Sequence, residues 1–198
     1  NEPCAKLAEM LCEKTGMKKV FFSNSGAEAN ECAIKAARRY AYNKYGDGHS
    51  TIITLKNSFH GRTITTLSAT GQEHYHKEFT PFTEGFVYAE PNNFDDIKKL
   101  SKENKCIAVM IEIVQGEGGV CPLDKEYVQQ IREFTEKNDM LMIVDEVQTG
   151  VGRTGRFFAY EYFRVKPDIV TFAKGIGGGL PIGGALFGEK CCDVLTPG

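Results

Sequence analysis

Lys174 stands directly after the strand-like run 168–173 and is followed by the glycine-rich run 175–184. A lysine amine that is desolvated at the end of a buried strand becomes a nucleophile towards carbonyl groups. The alternative is a lysine that stretches from a strand end into solvent. The residue alone does not decide between these interpretations.

Asp145 and Glu146 follow the apolar run 140–144 in the same way. A carboxylate at such a position is costly to bury unless it meets a cation, and a protonated pyridine nitrogen would be one. A metal ion is the alternative partner for two acids. Neighbouring strand residues point to opposite faces, and no histidine follows His76, so we expect no metal site.

Small residues at Ser25, Gly26 and Ala27 separate a predicted strand from a long predicted helix. Backbone N–H groups at such a helix start can bind a phosphate. The alternative is an ordinary helix start capped by Ser25. The chain has neither of the two glycine-rich nucleotide fingerprints, GxxxxGK[ST] and GxGxxG.

Phe59, Gly61 and Arg62 share one short loop. The phenylalanine could stack on a planar ring, and the guanidinium suits a carboxylate that binds with both oxygens. The alternative is a core phenylalanine next to a surface arginine. Only the other motifs can decide between the two.

Helical and strand-like segments alternate along the chain, which predicts an α/β fold with a mainly parallel sheet and helices on both faces. Helical spacing covers 6–14, 26–44, 95–103 and 125–137, and strand-like runs cover 20–22, 51–55, 86–89, 107–114, 140–144, 168–173 and 185–188. In such sheets ligands bind beyond the carboxyl ends of the strands. We therefore expect segments 23–28, 59–62, 145–148 and Lys174 to meet there.

The overall composition limits the class of partner. A formal net charge of −2 gives no basic field for nucleic acid, and no apolar run approaches the length that crosses a bilayer. Seven scattered cysteines without CxxC pairs are typical of reduced intracellular thiols. We expect a cytoplasmic protein that acts on small molecules and binds neither nucleic acid nor a membrane.

Five motifs, taken in order, resemble those of the class III aminotransferases and span most of the chain. They are Ser-Gly-Ala-Glu-Ala-Asn-Glu at 25–31, Phe-His-Gly-Arg-Thr at 59–63, Gln-Gly-Glu-Gly-Gly at 115–119, Asp-Glu-Val-Gln-Thr-Gly at 145–150 and Ala-Lys-Gly at 173–175. Five ordered motifs are far more specific than any one of them. The resemblance implies the large domain of fold type I and the cofactor pyridoxal 5′-phosphate (PLP).

The resemblance also implies a role for each candidate residue. Lys174 would form the Schiff base with PLP, Asp145 would pair with the ring nitrogen, and Gln148 would lie on the side of the 3′-oxygen. Ser25, Gly26 and Ala27 would bind the phosphate, and Phe59 would stack on the ring. Arg62 would bind a substrate carboxylate, and Glu117 would pair with a mobile arginine beyond Gly198.

The activity implied is transamination of an ω-amine, with N2-acetylornithine and 2-oxoglutarate as the expected substrates in arginine biosynthesis. Ornithine, 4-aminobutyrate and succinylated analogues are alternative donors. A homodimer is also implied. Residues 1–198 would form an incomplete PLP-binding large domain that lacks an N-terminal segment and a C-terminal small domain.

One position departs from the family pattern, since Ile113 stands where proline is frequent. Two other functions remain open at this point. A Schiff-base lyase or aldolase without PLP would use Lys174 but leave Ser25–Ala27 and Asp145 without a purpose. A non-catalytic binding module of the same fold would have no need of Lys174, Asp145 and Arg62.

Overall fold

A seven-stranded sheet forms the centre of the chain, and the computed structural model describes it within residues 1–196. The strand order is β1-β9-β8-β7-β4-β2-β3. Its strands are β1 (Lys19–Ser23), β2 (Thr51–Leu55), β3 (Phe86–Ala89), β4 (Cys106–Ile111), β7 (Leu141–Asp145), β8 (Ile169–Phe172) and β9 (Gly183–Phe187). A separate small hairpin pairs β5 (Val114–Gln115) with β6 (Cys121–Pro122).

The sheet is mostly parallel, as the sequence predicts. Strands β3, β2, β4, β7 and β8 pair in parallel, whereas β9 runs antiparallel to both of its neighbours, β8 and β1. The reversal of β9 follows from its connection, because the glycine-rich segment 173–182 that joins it to β8 is too short for a parallel crossover. Strands β1, β2, β4, β7 and β8 therefore end at the same edge.

Helices cover both faces of the sheet and bury a separate core on each. The helices are α1 (Glu2–Thr15), α2 (Gly26–Tyr45), α3 (Ile64–Ala69), α4 (Phe94–Glu103), α5 (Lys125–Lys137) and α6 (Tyr160–Phe163). Apolar residues of α2 pack on one face, and residues from α1, α4 and α5 pack on the other. Strands covered on both sides need apolar side chains at every position, which explains the unbroken run in β4.

Helix α2 lies close to the sheet because its inner face is built from small side chains. Ala29, Ala33, Ala36, Ala37 and Ala41 are all fully buried. The cap predicted for this helix is present, since the Ser25 hydroxyl accepts a hydrogen bond from the N–H of Glu28 at 3.2 Å. The start of α2 is therefore fixed against the end of β1.

Most predicted elements are confirmed, and β2, β3 and α5 have the predicted bounds. Helix α3 was not predicted, because its threonine-rich sequence favours strand. Thr63 overrides that preference with a capping box, in which its side chain and that of Thr66 each accept the other's backbone N–H. Among the described residues, no helix has the length and apolar character needed to cross a membrane.

Candidate active site

A cavity of about 260 Å³ lies where the carboxyl ends of the parallel strands meet. Its lining includes every predicted site residue except Ser25, namely Gly26, Ala27, Phe59, Arg62, Glu117, Asp145, Gln148 and Lys174. A larger hollow of about 860 Å³ next to Lys56 and His74 contains none of them. The smaller cavity is therefore the candidate active site because of the side chains that line it, and not because of its volume.

Asp145, at the end of β7, is buried and held by three hydrogen bonds. Its Oδ2 accepts from Asn30 Nδ2 at 2.7 Å and lies 2.9 Å from His60 Nδ1, and its Oδ1 accepts from the N–H of Val147 at 3.0 Å. Asn30 is oriented in turn by the hydroxyl of Thr171, which donates to its Oδ1 at 2.7 Å. The carboxylate is thus fixed in direction before any ligand arrives.

His60 and Glu112 complete a buried charged cluster around Asp145. Burial disfavours a charged imidazole, but the hydrogen bond to Asp145 and its negative charge hold the pKa of His60 above its usual value. Burial raises the pKa of Glu112 to about 7, while the charge of His60 opposes this rise. Glu112 also accepts the N–H of Phe59 at 3.0 Å, which ties the aromatic loop to the cluster.

The start of α2 forms a second, anion-binding part of the cavity. The first N–H groups of a helix have no carbonyl partner within the helix, so they can bind an anion. Gly26 brings this backbone close to the loop after β7, because a Cβ at Gly26 would lie 2.7 Å from Val147 Cγ1. A side chain there would push the helix start away from Val147.

The mouth of the cavity is lined by aromatic rings and opposite charges. The guanidinium carbon of Arg62 lies 5.9 Å from the ring centroid of Phe59 and 5.1 Å from that of Tyr75. The hydroxyl of Tyr75 donates to Glu117 Oε1 at 2.7 Å. This end of the cavity can therefore accept a ligand carboxylate next to an aromatic surface.

Lys174 follows β8 directly and begins the 3₁₀ turn Lys174–Gly177. Its φ of +48° lies in the left-handed region, which is costly for a residue other than glycine and concentrates at turns and active sites. The Lys174 side chain is exposed, so the desolvation expected from the sequence is absent here. Its position in the cavity lining agrees with the prediction.

The donor set suits a flat, phosphorylated pyridine such as PLP. Helix N–H groups can take a phosphate, the fixed carboxylate of Asp145 can take a protonated ring nitrogen, and Phe59 offers a ring surface. Lys174 supplies an amine to the same cavity. Within residues 1–196, no cluster of histidine, cysteine or acidic side chains could hold a metal ion.

Four residues of this site were missed by the sequence interpretation: Asn30, His60, Glu112 and Tyr75. His60 lies inside the quoted loop motif, and its position between Phe59 and Gly61 could have drawn attention to it. Asn30 lies within the first motif, but only the fold shows that it contacts Asp145. Glu112 lies just before the third motif, and only the fold shows that it contacts the backbone of Phe59. Tyr75 belongs to no motif, and nothing in its neighbourhood marked it.

Comparison with known families gives an independent result. The family described as aminotransferase class-III matches residues 1–198, the whole length of the chain. The chain belongs to the class III aminotransferases. Members of this class depend on PLP, which agrees with the predicted cofactor.

Similar sequences come from two named activities. The chain is 55% identical to the acetylornithine aminotransferase of Haemophilus ducreyi over 197 residues, which cover 100% of this chain and 50% of the relative. It is 48% identical to the succinylornithine transaminase of Citrobacter koseri, covering 100% of this chain and 48% of the relative. The chain thus spans about half the length of the curated relatives it matches.

Solved structures support the fold assignment. The ornithine aminotransferase of Toxoplasma gondii superimposes with a TM-score of 0.93 at 34% identity, over 98% of this chain and 47% of the other. Another crystal structure of that enzyme has partial occupancy of PLP at its active site. The N-acetylornithine aminotransferase of Stenotrophomonas maltophilia gives a TM-score of 0.82 at 37% identity, over 98% and 48% of the two chains. The predicted α/β fold of fold type I is confirmed.

Proposed function

We propose that the natural protein uses PLP to transfer the terminal amine of N2-acetylornithine to 2-oxoglutarate, giving N-acetylglutamate 5-semialdehyde and glutamate. One observation carries the proposal: an amine, a fixed carboxylate and a guanidinium line one cavity at a helix start. The names of the relatives support the choice of donor. Ornithine, succinylornithine and 4-aminobutyrate are the competing donors.

Asp145 and the start of α2 hold the two ends of the cofactor in this proposal. PLP, when bound, supplies a protonated ring that withdraws electrons from the carbon bearing the substrate amine. Asp145 keeps the ring nitrogen protonated, and its bonds to Asn30 and His60 hold the carboxylate in the required direction. The N–H groups at Gly26 and Ala27 bind the phosphate, with Ser25 at the cap.

Lys174 has two tasks, since it anchors the cofactor covalently and then acts as a base. Among the described residues that line the cavity, Lys174 alone carries an amine. As a base, Nζ would take a proton from the amine-bearing carbon of the substrate. Phe59 would offer its ring face to the cofactor, and Gln148 would lie on the side of the 3′-oxygen, as the family resemblance implies.

Arg62 binds the substrate carboxylate farthest from the reacting amine. The amine donor has one carboxylate and the keto-acid acceptor has two, and both must bind in the same cavity. A second cationic group is therefore needed for the acceptor and has to be neutralised when the donor binds. Glu117 is placed at the mouth to neutralise such a group, which we assign to an arginine outside residues 1–198. This assignment follows from the family resemblance.

The remaining assignments concern the whole polypeptide. We propose that residues 1–198 form the large PLP-binding domain and that a small domain and an N-terminal segment belong to the same polypeptide. The coverage of about half of each relative supports this division. We also propose that the full polypeptide forms a homodimer. We place it in the cytoplasm because the seven cysteines are unpaired.

A donor panel tests the proposed activity. The full natural polypeptide is loaded with PLP, and glutamate formation from 2-oxoglutarate is measured with each of the four donors. We expect the kcat/KM for N2-acetylornithine to exceed the others by about tenfold, a typical discrimination between close analogues, and Lys174→Ala to be inactive. A higher value for another donor would reassign the substrate. No glutamate from any donor would favour a non-catalytic module.

A further inference from the structure

Tyr75 lies at the mouth of the cavity between two groups of opposite charge. It ends the 3₁₀ turn Glu73–Tyr75, a segment that carries none of the motifs. Its hydroxyl donates to Glu117 Oε1 at 2.7 Å, and its ring faces the guanidinium of Arg62. Tyr75 therefore contacts both residues that the proposed function places at the substrate carboxylate.

The guanidinium of Arg62 is held by aromatic rings and not by a carboxylate. Phe59 and Tyr75 pack edge to face, with centroids 5.6 Å apart and planes at 67°. In residues 1–196, no acidic side chain forms an ion pair with Arg62. Cation–π contact holds the guanidinium in place without an acidic partner, so N–H donors remain for an incoming anion.

Glu117 lies in the loop 116–120 between β5 and β6. The backbone of this loop is fixed against the loop that carries Phe59 and Arg62. Gln115 Nε2 donates to the carbonyl of Lys56 at 2.8 Å, and a Cβ at Gly118 would lie 2.5 Å from the carbonyl oxygen of Asn57. With the backbone held, only the side-chain torsions of Glu117 remain to direct its carboxylate. The hydrogen bond from Tyr75 selects one of these directions.

Without that hydrogen bond, the Glu117 carboxylate could turn from the proposed arginine outside residues 1–198 towards Arg62. Arg62 and Glu117 line the same cavity, and an exposed carboxylate and guanidinium attract one another. A Glu117–Arg62 ion pair would use the N–H donors that a substrate carboxylate needs. The bond to Glu117 also raises the pKa of Tyr75 above its usual value, which agrees with the hydroxyl acting as the donor in this bond.

We propose that Tyr75 is a specificity-determining residue, which holds Glu117 away from Arg62 so that the carboxylate of the substrate binds Arg62. The inference rests on the proposed function. It predicts that Tyr75 matters for ligands with a carboxylate and not for amines without one. Glu117 is predicted to be the group that interferes when the hydroxyl is lost.

The test uses Tyr75→Phe in the full natural polypeptide loaded with PLP, with Tyr42→Phe on the exposed side of α2 as the matched control. We expect the KM for N2-acetylornithine to rise about tenfold in Tyr75→Phe, as expected for one hydrogen bond to a charged group, with kcat within about twofold. The KM for pentylamine should not change. Tyr42→Phe should match the wild type.

The double variant Tyr75→Phe/Glu117→Gln identifies the cause. A neutral glutamine cannot form an ion pair with Arg62, so the KM should return to the value of Glu117→Gln alone. An unchanged KM in Tyr75→Phe would overturn the inference. So would an equal rise for pentylamine or a rise that persists in the double variant, since either would mean that Tyr75 only supports the packing of Phe59.

A binding measurement separates this inference from the proposed function. Calorimetric titration of the same proteins with pentanoate, a carboxylate without an amine, needs no turnover. Weaker pentanoate binding in Tyr75→Phe, restored in the double variant, would support the role of Tyr75 even if the donor panel showed no transamination. Equal pentanoate affinity in all variants would contradict it, whatever the activity.

Discussion

Asp145 shows at the scale of single residues how position and neighbours combine. The sequence predicted a buried carboxylate at a strand end, and the structure places it there with three hydrogen bonds. Its partners Asn30 and His60 lie 115 and 85 residues away in the chain. Such contacts depend on the folded topology, so residue types and spacing alone could not predict them.

Replacing Asp145 by asparagine tests the charge at constant shape. We expect PLP to bind about 10- to 100-fold more weakly, because a hydrogen bond between charged groups contributes roughly 1.5–3 kcal/mol. Spectroscopic titration with PLP measures the affinity. Asp47→Asn, in an exposed turn, is the control and should bind PLP normally. Equal affinity of Asp145→Asn and the wild type would exclude Asp145 as the partner of the ring nitrogen.

At the scale of elements, the strand ends and the start of α2 create the site. Strands with β-branched residues and helices with clear apolar spacing were predicted well, as in β2 and α5. Helix α3 and the antiparallel direction of β9 were not predicted. Capping by Thr63 determines that α3 is a helix, and the connection from β8 determines the direction of β9. Neither feature produces a hydrophobic periodicity in the sequence.

The contact between Gly26 and Val147 provides a prediction about the start of α2. Gly26→Ala should lower PLP affinity about tenfold and destabilise the protein by roughly 1–3 kcal/mol, because the new Cβ overlaps Val147. Val147→Ala in the same chain removes the overlap and should restore most of the affinity. Spectroscopic titration and thermal unfolding of the two single variants and the double variant check this.

Failure of the second substitution to rescue the first would mean that steric overlap is not the cause. A Gly26→Ala protein with normal affinity would show that the helix start adapts without cost. In either case the close approach of α2 to the loop after β7 would not be what shapes the phosphate end of the cavity.

At the scale of the whole molecule, a polar cluster around Asp139 joins distant parts of the chain. Asp139 accepts hydrogen bonds from Tyr40 and Tyr45 of α2, forms an ion pair with Lys44 and lies 3.1 Å from Lys190. Burial opposes ionisation, but these donors hold the pKa of Asp139 well below its usual range. The cluster ties α2 to the loop before β7 and to the turn after β9.

Asp139→Asn should therefore destabilise the protein in a pH-dependent way. A depressed carboxyl pKa contributes stability above the unfolded value of about 4, and this stability is lost as the pH falls through the folded value. With Asp139 partly exposed, we expect a loss of about 1 kcal/mol at pH 7, or roughly 2–4 °C in Tm, that shrinks below pH 4. Thermal unfolding at pH 7 and in a series of buffers from pH 4 down to about pH 2 measures it. A Tm difference that grows in acid would contradict the assignment.

Covalent trapping on Lys174 tests the central claim most directly. The full natural polypeptide is incubated with PLP, reduced with borohydride and mapped by mass spectrometry, beside Lys174→Ala and the control Lys137→Ala at the exposed end of α5. We predict one phosphopyridoxyl group on Lys174, the same group in Lys137→Ala, and none in Lys174→Ala. A stoichiometric adduct on a different lysine, or unchanged labelling of Lys174→Ala, would contradict the assignment of this cavity as the PLP site.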